Sequence, residues 1–148
     1  MIPAAGTEMP PLTAALDLPA LVAYAGATWD WHRLHYDPGY AAGQGLPGPA
    51  VDGQLLGALL ARALREWLGP EAALRRMSFR FARPVFAGET VRCAGSVSAV
   101  DGVLLSVELR VEVVGPGGAV VRTAVAPASA KVEVPADPPN EARAGVTA

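Results

Sequence analysis

Both histidines of the chain, His32 and His35, fall in one eight-residue run, Asp30-Trp31-His32-Arg33-Leu34-His35-Tyr36-Asp37, together with two carboxylates. An imidazole changes charge near neutral pH, so it can take or give a proton under ordinary conditions. A neighbouring carboxylate orients the ring and stabilises its charged form, so an Asp/His pair can take a proton from water and pass one to carbon or oxygen. Each residue also has a plainer role open to it. His35 could be a structural histidine, and Asp30 or Asp37 could simply end a turn or cap a helix. His32 reads better as a pocket or loop-packing residue than as a catalyst, and Tyr36 and Tyr40 read as packing. Asp30, His32, His35 and Asp37 are ligand types that suit zinc, but four ligands compressed into one loop argue against a metal cage. Cys93 is the sole cysteine, which excludes an intrachain disulfide and a cysteine zinc cage; with only Arg92 beside it, it reads as inert packing.

The elements that must position this run follow from hydrophobic period. The chain has 148 residues, a length suited to one domain. A net charge of −2 and a hydrophobic fraction of 51% exclude disorder and lack the basic surplus of a nucleic-acid binder. Of the 12 basic residues, 11 are arginine and Lys131 is the one lysine. No apolar run is long enough for a membrane span, and the start carries no signal-peptide pattern, so the expectation is a cytoplasmic protein. Residues 1–9 are expected to be loose, 10–133 to form the domain, and 134–148 to be a disordered tail rich in proline and small residues. Pro11 to Leu16 reads as a strand, and Leu18 to Ala27 as a helix capped by Asp17. Thr28 to Pro49 reads as a loop. Gln54 to Leu68 is the strongest helix, with Leu55, Leu56, Leu59, Leu60, Ala63, Leu64 and Trp67 on one stripe and Gly69-Pro70 as its stop. Leu74–Ala82, Thr90–Val100, Val103–Val114 and Ala119–Val132 read as four antiparallel strands in a meander, with Asp101-Gly102 as a type I′ hairpin turn. Strands following one long buried helix predict an α+β domain, a sheet wrapped around that helix.

Three segments together resemble the MaoC-like hot dog family of (R)-specific enoyl-CoA hydratases and 3-hydroxyacyl-thioester dehydratases. Tyr24-Ala25-Gly26-Ala27-Thr28-Trp29-Asp30-Trp31-His32-Arg33-Leu34-His35-Tyr36-Asp37 is similar to the family signature Tyr-Ala-Gly-x-x-x-Asp-x-Asn-Pro-(Ile/Leu)-His-x-Asp. Pro49-Ala50-Val51-Asp52-Gly53-Gln54-Leu55 and Arg80-Phe81-Ala82-Arg83-Pro84-Val85-Phe86-Ala87-Gly88-Glu89 resemble the family's two later segments. The resemblance covers about Pro10 to Val132 and implies a hot dog fold, a lyase acting on an acyl-CoA or acyl-carrier-protein thioester, and no cofactor or metal. It implies that Asp30 and His35 activate water. It implies that the Gly53 backbone N–H polarises the thioester carbonyl at a helix N-terminus while its missing side chain lets the acyl chain approach. A homodimer, or a heterodimer with another MaoC-like chain, is expected. Departures mark the pocket: Trp29, His32, Arg33 and Asp52 stand where the family has a small residue, Asn, Pro and His. Trp29 and Trp31 are expected to narrow or reshape the pocket, and Asp52 to put a carboxylate near the thioester. These departures leave open a degenerate or partner-dependent subunit, or a hot dog thioesterase or tailoring enzyme. Arg75, Arg76, Arg80 and Arg83 could meet coenzyme A phosphates, although strand alternation alone explains them as solvated positions.

Overall fold

A computed structural model describes residues 1–136. In chain order it contains β1 (Leu12–Leu16), α1 (Leu18–Thr28), a single 3-10 turn (Arg33–His35), α2 (Pro38–Gly43), α3 (Gly53–Leu68), β2 (Ala73–Phe81), β3 (Glu89–Asp101), β4 (Leu104–Val114) and β5 (Val120–Glu133). The strands form one antiparallel sheet in the order β1-β3-β4-β5-β2.

The long helix is where its leucines require it. Leu56, Leu59, Leu60, Ala63 and Leu64 recur at three- and four-residue spacing and are all buried. Burial of each large side chain contributes about 1.5–3 kcal/mol, far more than the helix's intrinsic propensity. The side chain of Asp52 accepts the Gln54 N–H at 2.9 Å and starts the helix; Gly69, with φ +91°, ends it. The sheet face opposite is set by alternation along β4: Leu105, Val107, Leu109, Val111 and Val113 are buried, while Ser106, Glu108 and Arg110 point the other way. Helix α3 packs on β2, β3 and β4, so the sheet curls over it and the core lies between. Two glycines let β2 close in: a Cβ on Gly53 would collide with the Phe81 ring, and one on Gly57 would lie 2.5 Å from the Phe79 ring.

Several expectations need correction. Only β3, β4 and β5 form a meander; β2 lies at the far edge, paired with β5 rather than with β3. Hairpin period cannot distinguish these arrangements, because the Ala82–Gly88 connection crosses the sheet. The β3–β4 turn is Gly102-Val103, one residue later than expected, since Asp101 still pairs with Leu104. Gly102 has φ +57° and Val103 does not share the positive region, which is the type II′ pattern and not I′. The N-terminal segment is tied down: Gly6 and Met9 donate to Val97 and Gly95 of β3, and Met9 is buried. At the other end Val134 is buried and donates to Val103, so the fold runs past residue 133. The rest of the expected tail, 137–148, lies outside the described residues. The presumed loop from Thr28 to Pro49 contains α2, capped by Asp37.

Candidate active site

Three turns bring the site together. Helix α1 ends on Trp29 in the left-handed region (φ +60°), and the N–H groups of Trp29 and Asp30 both reach back to the Ala25 carbonyl. That reversal aims Asp30 back across the end of α1. The Asp30 Oδ1 accepts the His32 N–H at 3.2 Å, and the His32 Nδ1 accepts the Leu34 N–H at 3.1 Å, which starts the 3-10 turn carrying His35. The third turn is the approach to α3. Ala50 donates to Leu34, Val51 donates to Val85, and Pro49 accepts from Ala87, so this segment is clamped between the histidine turn and the β2–β3 connection.

His35 is thereby fixed. One ring nitrogen, Nδ1, lies 2.8 Å from the Ala50 carbonyl. A carbonyl only accepts, so Nδ1 carries the proton and donates it. In the neutral ring the lone pair is then on Nε2, which faces Asp30 Oδ2 at 4.0 Å. Asp52 closes the group: Asp30, His35 and Asp52 each place a ligating atom within 4.8 Å of the other two. Leu21, Ala25 and Leu55 supply apolar walls and Tyr24 a polar one, and the crevice is closed to a water-sized sphere. Burial pushes the Tyr24 pKa up, and the Asp52 charge adds to it. Tyr24 is a site-lining residue that its chemistry did not announce; its place in the Tyr-Ala-Gly segment was the available signal.

The structure brings together Asp30, His35, Asp52 and the start of α3, and it leaves other expected residues outside. His32 caps the histidine turn and packs against the Tyr40 ring. Asp37 is a cap: it accepts the Tyr40 N–H and a hydrogen bond from Arg33, and these hold its pKa below the usual carboxylate range. The set of Asp30, His32, His35 and Asp37 considered for zinc is therefore not assembled; Asp52 from a distant segment takes the third position instead. Trp29 is 80% exposed, and Trp31 stacks edge-on with Trp29 and Tyr36 and covers Gly26, so neither indole narrows the crevice. Gly53 begins α3, and its N–H has no intrahelical acceptor. The space beside its missing side chain is filled by the Phe81 ring rather than open to an acyl chain. Phe81 is itself 56% exposed, so the ring has room to swing outward.

This fold is that of a known class. The MaoC like domain model matches residues 7–115, and the chain belongs to that family. It is 31% identical over 104 residues to the 3-oxo-4,17-pregnadiene-20-carboxyl-CoA hydratase beta subunit of Mycobacterium tuberculosis, covering 70% of this chain and 81% of that relative. It is 33% identical over 81 residues to the (R)-specific enoyl-CoA hydratase of Aeromonas caviae, covering 54% of this chain and 60% of the relative. Among solved structures, it superposes on a chain of the ChsH1-ChsH2 complex from M. tuberculosis with TM-score 0.80 and 26% identity, over 88% of this chain and 98% of that one. The (R)-hydratase from A. caviae involved in PHA biosynthesis gives TM-score 0.78 and 29% identity, over 88% and 96%. The sheet curled around α3 is the hot dog fold of these neighbours. No helix among the described residues is long and apolar enough to cross a membrane.

Proposed function

We propose that this protein is a hydro-lyase, adding water to a trans-2-enoyl thioester or removing it from a (3R)-hydroxyacyl thioester carried by coenzyme A or an acyl carrier protein. The observation that carries this reading is the orientation of His35: its Nδ1–H is held by the Ala50 carbonyl, and its Nε2 faces Asp30 beside the first turn of α3. The thioester oxygen lies at the Gly53 N–H, where the unpaired donor and the helix dipole stabilise charge as it develops. Once substrate has opened the crevice, water sits between Asp30 and His35. As its oxygen bonds to C3, one O–H bond breaks and its proton passes to the dyad, the C2=C3 π pair moves to C2, and the dyad returns a proton there to form the new C–H bond; dehydration runs the same steps backward. The crevice is closed to water and Phe81 covers Gly53, so substrate binding has to part both. The reaction belongs in the cytoplasm, in line with the single buried thiol and the thioester substrates.

A second reading keeps the fold and moves the activity to an assembly. The beta-subunit relative and the Asp52 carboxylate beside Gly53 favour a chain that works paired with a second MaoC-like chain, rather than as a homodimer. Loss of enoyl-thioester absorbance on mixing with crotonyl-CoA and a longer trans-2-enoyl-CoA separates the two. Turnover by the protein alone, abolished in both Asp30→Asn and His35→Ala, supports the first. Turnover that appears only on adding a second MaoC-like chain supports the second. Release of free thiol would instead indicate a hot dog thioesterase.

A further inference from the structure

Six arginines among the described residues are held by carboxylates: Arg33 by Asp37, Arg62 by Glu66, Arg75 by Glu133, Arg92 and Arg110 by Glu112, and Arg122 by Glu89. Arg65, Arg76, Arg80, Arg83 and Lys131 are held by no carboxylate among the described residues. Four of these five lie on β2, just past its end, or on its neighbour β5. In a protein of net charge −2 that is a local concentration of uncompensated positive charge.

Within it, Arg76 and Lys131 stand opposite each other in the β2–β5 ladder. They border a surface groove of about 280 Å3 whose other polar walls are Ser78, Ser98, Ser106 and Ser129. The Ser98 hydroxyl donates to the Ser106 carbonyl at 3.1 Å. The hydroxyls of Ser78, Ser106 and Ser129 have no partner among the described residues. Among the described residues no carboxylate lines this groove: Glu108, the next outward-facing residue along β4 after Ser106, opposes Ser129 and lines the adjoining groove that shares Ser78 and Ser129, and Glu133 is engaged by Arg75. Among the described residues, two cations and three hydroxyls without a partner face one space that no carboxylate lines, and together they form a set of donors. The complementary ligand is a compact anion with several acceptor oxygens.

We propose that this groove, on the sheet face turned away from α3, is a binding site for a phosphate group, free or carried as a monoester. Arg76 and Lys131 pair with its charge and the serine hydroxyls with its remaining oxygens. The site is separate from the Asp30–His35 crevice and does not depend on the activity proposed for it. Isothermal titration of the full chain with adenosine 3′,5′-bisphosphate, inorganic phosphate and adenosine tests it. Saturable binding of the bisphosphate or of phosphate, but not of adenosine, is expected. Arg76→Ala/Lys131→Ala should weaken that binding by roughly tenfold or more, since a hydrogen bond to a charged group contributes about 1.5–3 kcal/mol. Ser78→Val/Ser129→Val, which keeps the charge, should weaken it by a smaller factor. Arg62→Ala/Arg65→Ala removes the same charge from α3 and should leave it unchanged. Tighter binding of the bisphosphate than of phosphate would make a nucleotide the source; equal binding would make it the free ion. Absence of saturable binding, or an equal loss in the Arg62/Arg65 variant, would overturn the proposal.

Discussion

Glu112 and Asp30 are both acidic residues set beside basic side chains, and they are treated in opposite ways. Glu112 is 8% exposed and divided between two arginines, with Arg92 at 2.8 Å and Arg110 at 2.9 Å. Burial opposes its ionisation, yet the hydrogen bonds from Arg110 and Arg92 outweigh burial and hold its pKa below the usual range. Both carboxylate oxygens have donors, and the pair of strands β3 and β4 is pinned by them. Asp30, His35 and Asp52 converge with no direct hydrogen bond between their side chains, two carboxylates facing one imidazole across 4.0 to 4.8 Å. Each is anchored instead from behind, by the His32 N–H, the Ala50 carbonyl and the Gln54 N–H. The first cluster uses its charges on itself. The second is oriented by the backbone and keeps its titratable atoms turned toward a shared space, an arrangement that proton transfer to a third molecule would require.

The largest expected effect separates the two clusters by function. Asp30→Asn and His35→Ala should each lower enoyl-thioester hydration by about 10²–10⁴-fold, the usual range for lost acid–base help, with the thermal midpoint within a few degrees of wild type. Glu112→Ala should show the converse, with turnover retained at a temperature where it stays folded. Its stability should fall by about 1–3 kcal/mol in denaturant titration, because two arginines lose their partner in a half-buried setting. Gly53→Ala tests the contact that crosses between sheet and site: the new Cβ meets the Phe81 ring and should cost about 1 kcal/mol. Gly53→Ala/Phe81→Ala should recover most of that loss. The pH dependence follows from sign. Glu112 and Glu89 have folded pKa values below the usual range, Glu89 because hydrogen bonds from Arg122 and the Phe86 N–H outweigh its burial. Their stabilisation is present above the ordinary carboxylate range and is lost as pH falls through the depressed folded values. Acid melts of Arg92→Ala should therefore show a shallower decline than wild type. The smallest effect is at Trp29: Trp29→Gly relieves a left-handed backbone and should raise stability by about 0.5–1 kcal/mol with turnover unchanged, because the indole stands outside the crevice.

The same contrast explains what the sequence reveals. Helix α3 is legible because its stripe of leucines is a local pattern, and β3, β4 and β5 because alternation and short turns are local too. The place of β2 is not, since pairing with β5 is a long-range choice that period leaves open. The convergence of Asp30 and His35 is visible from their proximity in one run and from the family segments. Asp52 is visible only through the resemblance, because nothing local says that a helix cap twenty-two residues after Asp30 returns to it. The aromatic residues mislead for a related reason. Trp29 and Trp31 flank Asp30 in sequence, but the left-handed cap turns the carboxylate inward and the indoles outward. The Arg92–Glu112–Arg110 cluster carries no motif at all; it exists because β3 and β4 place Arg92 opposite Glu112.

One measurement bears most directly on the central claim that the Asp30–His35 pair activates water at the start of α3. It is the rate of enoyl absorbance loss with crotonyl-CoA and a longer trans-2-enoyl-CoA, for wild type, Asp30→Asn and His35→Ala, each confirmed folded, alone and mixed with a second MaoC-like chain. The account predicts turnover by wild type, alone or in the mixture, that either substitution reduces by about two orders of magnitude or more. Turnover that survives both substitutions would contradict it.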